Sequence, residues 1–365
     1  MANFVIFGGT FDPIHNGHLR ISEAASKKFS ATVIFVPAKS PRWKEPEETS
    51  NQRLDMLKIA LKDAKFKYEI CDFELSSKDE INYSIDTVKY LKSKHQNDNL
   101  YFLIGADQVN KFNEWKDAKE LSKLATIVYV NRPGFNLNNR IIKEYEMVDL
   151  NYFKSGEVSS TSIKEMKSVD LPIEVLKYIE ANRLYFLKKI AEIIPEKRLN
   201  HSIEVANLSL EVAKVNKLEP LYKYYFAALL HDLGKAYSKD DENTLSLMKK
   251  HYKEYLDLPN FSYHQFVGEY LAKTYFGIKD PEILDAIKYH CTGKANMSPL
   301  GMVVYACDKI EPTRDFDSTW LINACMKNWK DGFLTTLEDN RKYLKSHNKD
   351  ITNKLTDECF NMYLK

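Results

Sequence analysis

Apolar residues in the first half of the chain fall into short runs, separated by stretches in which they recur at helical spacing. The runs Asn3–Phe7, Thr32–Pro37, Tyr68–Cys71, Leu100–Gly105, Thr126–Val130 and Met147–Leu150 predict strands. Helical periodicity over about 17–29, 51–63, 84–94 and 117–123 predicts the helices between them. Such alternation predicts a doubly wound parallel sheet with helices on both faces, and ligands at the carboxyl ends of its strands. Polar residues follow the runs there: Thr10 to His18, Lys39 to Lys44, Asp107 and Arg132. Around Ser155–Ile163 the period changes. Everything after Leu171 reads as helix, with no clear strand run from 186 to 365. A closing helix from Leu171-Pro172 to Leu184-Tyr185 puts the boundary between Asn182 and Leu187, which predicts domains 1–185 and 186–365.

Composition narrows the class. At 365 residues the chain is too long for one ordinary core. Its net charge of +2 divides evenly, +1 for residues 1–185 and +1 for 186–365, so no nucleic-acid footprint is expected. Cys71, Cys291, Cys307, Cys325 and Cys359 form no C-x-x-C pair, which argues against a thiolate metal site and a disulfide framework. The first apolar run is too short for a secretion signal, and no stretch nears the roughly 20 apolar residues of a membrane span. A cytoplasmic protein with reduced thiols and no membrane partner is expected. The oligomeric state is left open, a homo-oligomer included.

The densest chemistry follows the first strand: Gly8-Gly9-Thr10-Phe11-Asp12-Pro13-Ile14-His15-Asn16-Gly17-His18. Two glycines predict a sharp turn with close ligand approach. A helix starting near Asn16 turns its free N–H groups and dipole toward an anion on the loop. His15 and His18 flank Gly17 at that start, where both can reach one phosphate chain. These residues resemble the signature of the nucleotidyltransferases, which move a nucleotidyl group onto a phosphate without a covalent enzyme intermediate. The resemblance implies a Rossmann-like nucleotidyltransferase domain. In it Gly8, Gly9, Thr10 and Phe11 contact substrate, and His15 and Thr10 hold the triphosphate. His18 stabilises charge developing on the α-phosphate, and Mg2+ accompanies ATP.

Further segments point to one branch: Pro37 to Lys44, Tyr83-Ser84-Ile85-Asp86-Thr87, Ile104-Gly105-Ala106-Asp107 with Trp115, Arg132-Pro133-Gly134, and Val158 to Ile163. Together they resemble the bacterial nicotinate-nucleotide adenylyltransferases over about residues 1–185. The resemblance implies that Trp115 stacks on the nicotinate ring and the Tyr83-Ser84 region meets its carboxylate. Gly105 and Asp107 meet the nucleotide, Asp107 at the ribose. Lys44 and Arg132 meet phosphates. Ser159, Ser160 and Thr161 begin a helix under the ATP phosphates. Lys164 stands where relatives commonly carry arginine, keeping the charge but losing the bidentate fork.

The helical half carries His201, His231-Asp232, His264, His290 and Asp308, with His231-Asp232 closing the apolar helix Phe226-Ala227-Ala228-Leu229-Leu230. Imidazole and carboxylate suit iron, manganese, nickel or zinc. The pattern resembles the HD-domain metal phosphohydrolases. The flanking Arg198, Lys235, Tyr289-His290-Cys291-Thr292-Gly293 and Tyr305 to Arg314 resemble their symmetrical diadenosine tetraphosphate hydrolases. The resemblance implies an all-α HD domain with Fe or Mn, as one ion or a bridged pair. His201, His231, Asp232 and Asp308 hold the first ion, and His264 and His290 serve a second. Arg198, Thr292 and Arg314 bind substrate, and Lys235 joins the catalytic set.

The whole chain thus reads as a bifunctional enzyme. One half transfers adenylyl from ATP to nicotinate mononucleotide, and the other cuts diadenosine tetraphosphate into two ADP. Two alternatives change only the HD half: a hydrolase of dNTPs, cyclic nucleotides or guanosine tetraphosphate, or a silent nucleotide sensor.

Overall fold

The computed structural model describes residues 1–364 except 40–44, 78–81, 132–135, 153–157, 238–240 and 348–352. It divides into two compact units. One comprises Met1–Glu165 and Asp170–Tyr185, the other Met166–Val169 and Phe186–Lys365.

The first unit is built on six strands: β1 (Asn3–Gly9), β2 (Thr32–Pro37), β3 (Tyr68–Ile70), β4 (Asn99–Gly105), β5 (Thr126–Val130) and β6 (Val148–Asp149). All pair in parallel in the order β3-β2-β1-β4-β5-β6. Central β1 lies between β2 and β4, with Ile6 opposite both Ile34 and Phe102. Helices cover both faces, so central strands are apolar on alternate and intervening positions alike; Val5 and Ile6 are both buried. The order reverses between β1 and β4, which opens a crevice at their carboxyl ends. That crevice is where β1 ends in Gly8-Gly9 and β4 in Gly105.

The strands follow the hydrophobic pattern closely, with β3 and β6 shorter than their apolar runs. Helices Asn16–Phe29, Ser50–Leu61, Ser84–Lys94 and Ala118–Leu124 lie between strands. The expected closing helix is shorter than its pattern. It runs from Ile173 to Ala181, and Arg183 and Tyr185 beyond it take left-handed φ of 52° and 56°.

The second unit is helical, with no strand among its described residues. Helices Glu196–Val215, Leu221–Leu230, Tyr263–Thr274, Pro281–Lys288 and Pro299–Ile310 form its centre. Leu221–Leu230 is apolar all round, and Tyr224 to Leu230 are all buried. No helix among the described residues is long and apolar enough to cross a membrane.

Candidate functional site

In the first unit a cleft of about 350 Å3 opens at the crevice between β1 and β4. It gathers Gly8, Gly9, Thr10, Tyr83, Ser84, Gly105 and Trp115. The turn after β1 differs from expectation. Gly8 and Gly9 remain in the strand, paired with Val36 and Pro37. The reversal is made at Phe11, with φ of 49°. Its ring is 2 % exposed and packs against Phe7, Phe35 and His18, so Phe11 is a core residue rather than a substrate-facing side chain. A Cβ at Gly9 would lie 3.1 Å from that ring, so a side chain there would crowd Phe11.

His15 and His18 cap the helix Asn16–Phe29 reciprocally. His18 N–H donates to His15 Nδ1 at 3.4 Å, and His15 N–H donates to His18 Nδ1 at 3.3 Å. The rings stack with centroids 3.7 Å apart. An Nδ1 that accepts leaves the proton of a neutral imidazole on Nε2. This assignment follows from the hydrogen-bond network. Both histidines therefore present Nε2–H donors. Gly17 lets them stack, since a Cβ would lie 2.9 Å from His15 Nδ1.

Behind the loop, buried Asp12 pairs with Lys164 and accepts from Glu47 N–H and the Tyr185 hydroxyl, both at 2.9 Å. Burial pushes its carboxyl up, but Lys164 and these donors outweigh that and hold it below the usual range. Lys164 also lies 3.5 Å from Glu47, so its ammonium is committed to carboxylates of the protein. Arg53 escaped the sequence reading. Its guanidinium is 1 % exposed and donates to the carbonyls of Thr10, Ala38 and Lys39 at 2.7, 2.8 and 3.2 Å. It ties the loop after β1 to that after β2. The available signal was periodicity, because Arg53, Met56, Leu57 and Ala60 share one buried helix face.

Ser84 opens the helix Ser84–Lys94, and Tyr83 before it supplies no side-chain cap. Trp115 is half-buried, edge-on to Phe102 and tilted against Phe112. Asp107 is exposed, accepts from Gln108 Nε2 at 2.7 Å and folds back over Gly105, where a Cβ would meet its Oδ1 at 2.5 Å. Ser159 caps the short helix Ser160–Lys164, Ser160 donates to Pro13 O at 2.9 Å, and Thr161 is exposed. Lys44 and Arg132 lie outside the described residues.

The second unit brings His201, His231, Asp232, His264, His290 and Asp308 together from five helical segments. His231, His264 and His290 are held alike: Nδ1 lies 2.6, 2.7 and 2.8 Å from the carbonyl oxygens of Ala228, Phe261 and Ile287. A carbonyl only accepts, so Nδ1 carries the proton and Nε2 keeps its lone pair. These lone pairs converge. His264 Nε2 and His290 Nε2 are 3.1 Å apart, and each lies 3.5 Å from Asp232 Oδ1. His231 Nε2 is 3.3 Å from Asp308 Oδ1 and 3.7 Å from Asp232 Oδ2, buried and without a hydrogen-bond partner. His201 turns Nε2 to Asp308 Oδ1 at 3.2 Å, and Glu311 Oε1 orients it from 3.1 Å at Nδ1. Glu311 also escaped the reading as an orienting group. Its signal was its place one helical turn after Asp308.

The burial of Asp232 and Asp308 disfavours their charge, yet His231, His290 and His264 around Asp232, and Lys309, His201 and His231 around Asp308, hold both well below the usual carboxylate range. Burial, with His290 alongside, keeps His264 well below the usual imidazole value, and burial lowers His290 too. At His231 burial is outweighed by Asp232 and Asp308, which raise it. The two carboxylates favour positive charge at that point.

An orphaned, buried Nε2 and lone pairs aimed at one another fit a divalent cation. The trios His201–His231–Asp232, His231–His290–Asp308 and Asp232–His264–His290 each hold their ligand atoms within 4.8 Å. Asp232 faces His201 and His231 with Oδ2, and His264 and His290 with Oδ1. Cations surround the cluster. Arg198 lies 2.7 Å from Asp232, and Lys309 and Arg314 lie 2.9 and 3.0 Å from Asp308. Lys235 is exposed just beyond the His-Asp pair. Thr292 does not face a ligand. It is 3 % exposed, with its hydroxyl donated to Gly293 O and bonded to Gln265, because the turn after His290 needs those groups to satisfy its buried backbone.

Residues 6–166 match the cytidylyltransferase-like family and residues 198–313 the HD domain family. A Mycoplasma genitalium protein named "Probable nicotinate-nucleotide adenylyltransferase/Ap4A hydrolase" is 32 % identical over 357 residues, 95 % of this chain and 99 % of its own. The Mycoplasma pneumoniae protein of the same name is 30 % identical over 356 residues, 95 % and 100 % of the two chains. An Aquifex aeolicus protein named "Probable nicotinate-nucleotide adenylyltransferase" is 39 % identical over 166 residues, 43 % of this chain and 98 % of its own. With a nucleotidyltransferase fold, an HD-type histidine–aspartate cluster and relatives matching both end to end, the chain belongs to the family that joins a nicotinate-nucleotide adenylyltransferase to an HD-domain Ap4A hydrolase.

Proposed function

We propose that the sheet unit joins ATP to nicotinate mononucleotide, and that the helical unit hydrolyses diadenosine tetraphosphate, in the cytoplasm where both nucleotide pools lie. In the first reaction a phosphate oxygen of the mononucleotide attacks the α-phosphorus of ATP. The bond to pyrophosphate breaks, and deamido-NAD forms. Such in-line transfer needs positioning and charge stabilisation rather than a protein nucleophile. The observation that carries the reading is the reciprocal cap, which directs the Nε2–H donors of His15 and His18 from the loop ending β1. His18 meets the developing charge at the α-phosphate, while His15, Thr10, Lys44 and Arg132 hold phosphates. Lys164 contributes through Asp12, steadying the loop, and the Ser159–Thr161 turn lies under the phosphates. Mg2+ enters with ATP. Trp115 stacks on the nicotinate ring, the first N–H groups of Ser84–Lys94 receive its carboxylate, and Asp107 receives a ribose. The acid mononucleotide is therefore preferred over the amide. Equal or reversed specificity constants would overturn that assignment.

In the second unit the converging Nε2 atoms carry the reading. His201, His231, Asp232 and Asp308 would hold one ion, Fe or Mn, and His264 and His290 would bind or face a second. When bound, the metal supplies an acidified water and a polarised phosphoryl oxygen. Glu311 and the three carbonyls fix the imidazoles. Arg198, Lys235 and Arg314 offset the charge of a polyphosphate. Incubation with Mn2+ and diadenosine tetraphosphate, followed by product identification, tests the reading. ADP alone is expected; ATP plus AMP, or cleavage of dNTPs or guanosine tetraphosphate only, would overturn it.

A further inference from the structure

A cavity of about 210 Å3 in the helical unit borders the cluster through His264. Its walls include His264, Lys235, Tyr237 and Phe261. It owes its position to Gly234. A Cβ there would lie 1.9 Å from His264 O, so only glycine lets the turn Leu233–Ala236 rest directly on the helix that carries His264. Tyr237 and Phe261 are 39 % and 40 % exposed, large rings turned to solvent on one pocket. Phe261 is bound to the cluster by its own backbone, because its carbonyl holds His264 Nδ1 at 2.7 Å. Two exposed rings, a cation and a metal-ligand candidate thus meet within one small space. Aromatic faces accept any nucleobase by stacking, and Lys235 offers charge to phosphates leaving the pocket toward the cluster.

We infer that this pocket takes one nucleoside end of a dinucleoside polyphosphate, the base against Tyr237 and Phe261 and the chain running past Lys235 to the histidine cluster. The inference rests on the hydrolase reading and adds to it the place where the base is held. Because His264 is itself a wall of the pocket, a polyphosphate chain leaving the base passes directly to the cluster. The two ends of the substrate are identical, so either can enter.

The test uses the full chain with Mn2+ and the variants Tyr237→Ala, Phe261→Ala and both together. Both rings are exposed, so the fold and the metal content should persist. The expected result is a KM for diadenosine tetraphosphate raised about tenfold per ring, or about 1.4 kcal/mol, with kcat within about twofold. Inhibition by inorganic pyrophosphate, which has no base, should be unchanged. In equilibrium dialysis with ADP the double variant should lose one class of site and keep the one in the sheet unit. If the wild type cleaves the substrate while KM and ADP binding stay unchanged in the variants, the pocket assignment falls and the hydrolase reading stands. Equal weakening of pyrophosphate also overturns the assignment. If the wild type does not cleave but loses an ADP site in the double variant, the pocket stands and the tetraphosphate reading falls. If neither cleavage nor that site exists, both fall.

Discussion

The loop at the carboxyl end of β1 and the histidine cluster treat their polar groups in opposite ways. In the loop the polar side chains already satisfy one another: His15 and His18 cap one helix together, and Asp12 is held by Lys164, Glu47 N–H and Tyr185. In the cluster they conflict. His264 and His290 aim Nε2 atoms at each other, and His231 Nε2 is buried with no hydrogen bond. The first arrangement is held by hydrogen bonds within the protein, which is how preorganised donors are built. The second carries an electrostatic cost that a cation removes. The loop's polar groups are thus satisfied within the folded protein, and those of the cluster call for an ion.

Breaking the shared ligand of the cluster should have the largest effect. Asp232→Ala should lower diadenosine tetraphosphate cleavage by about three orders of magnitude or more, in line with loss of metal-assisted catalysis, and should strip the metal. Adenylyl transfer should be unchanged. Metal analysis beside both assays decides it, and retained metal would remove Asp232 from the ligand set. His18→Ala is the reciprocal cut. Adenylyl transfer should fall by roughly 10²–10³, as when one charge-stabilising donor is lost, with hydrolysis intact. Near-normal turnover would show that His18 does not meet the transferring phosphate.

Chelation sharpens the contrast without mutation. An ion at about 100 times its Kd stabilises by roughly 2.7 kcal/mol, which for a unit of this size is about 5–10 °C in melting temperature. The helical unit should lose that much and regain it with Mn2+, while the sheet unit melts unchanged. A uniform shift, or none, would break the comparison. The smallest effect expected is at Asp12. Its folded pKa lies below the usual 3.8, so its stabilising contribution is full above that value and is lost as pH falls through the lower folded value. Acid unfolding of the sheet unit should begin at higher pH in Lys164→Met than in the native chain. Coincident acid transitions would mean that the Lys164 pair adds nothing.

Periodicity and local motif carried much of this protein into view from the chain alone. Six apolar runs mark six parallel strands, and the glycine–histidine segment sits at the crevice where the strand order reverses. His201, His231, Asp232, His264, His290 and Asp308 converge although more than 100 residues separate the first from the last, because each terminates or lines a helix whose apolar face is explicit in the sequence. These features are set locally, by side-chain period and backbone preference.

The remainder depended on neighbours remote in sequence. A Gly-Gly pair reads as a turn, but strand pairing with Val36 and Pro37 holds both glycines extended, and packing against Phe35 drives Phe11 into the reversal. Thr292 reads as a ligand-facing hydroxyl until Gln265, on another helix, claims it. Arg53 has a role only once the loops after β1 and β2 close over it, and Glu311 becomes an orienting group only where His201 arrives beside it. The sequence determined which residues could bind phosphate or metal and which segments carry them. Tertiary structure decided which were free to do so, since a buried donor or acceptor bonds to whatever partner the fold brings within reach.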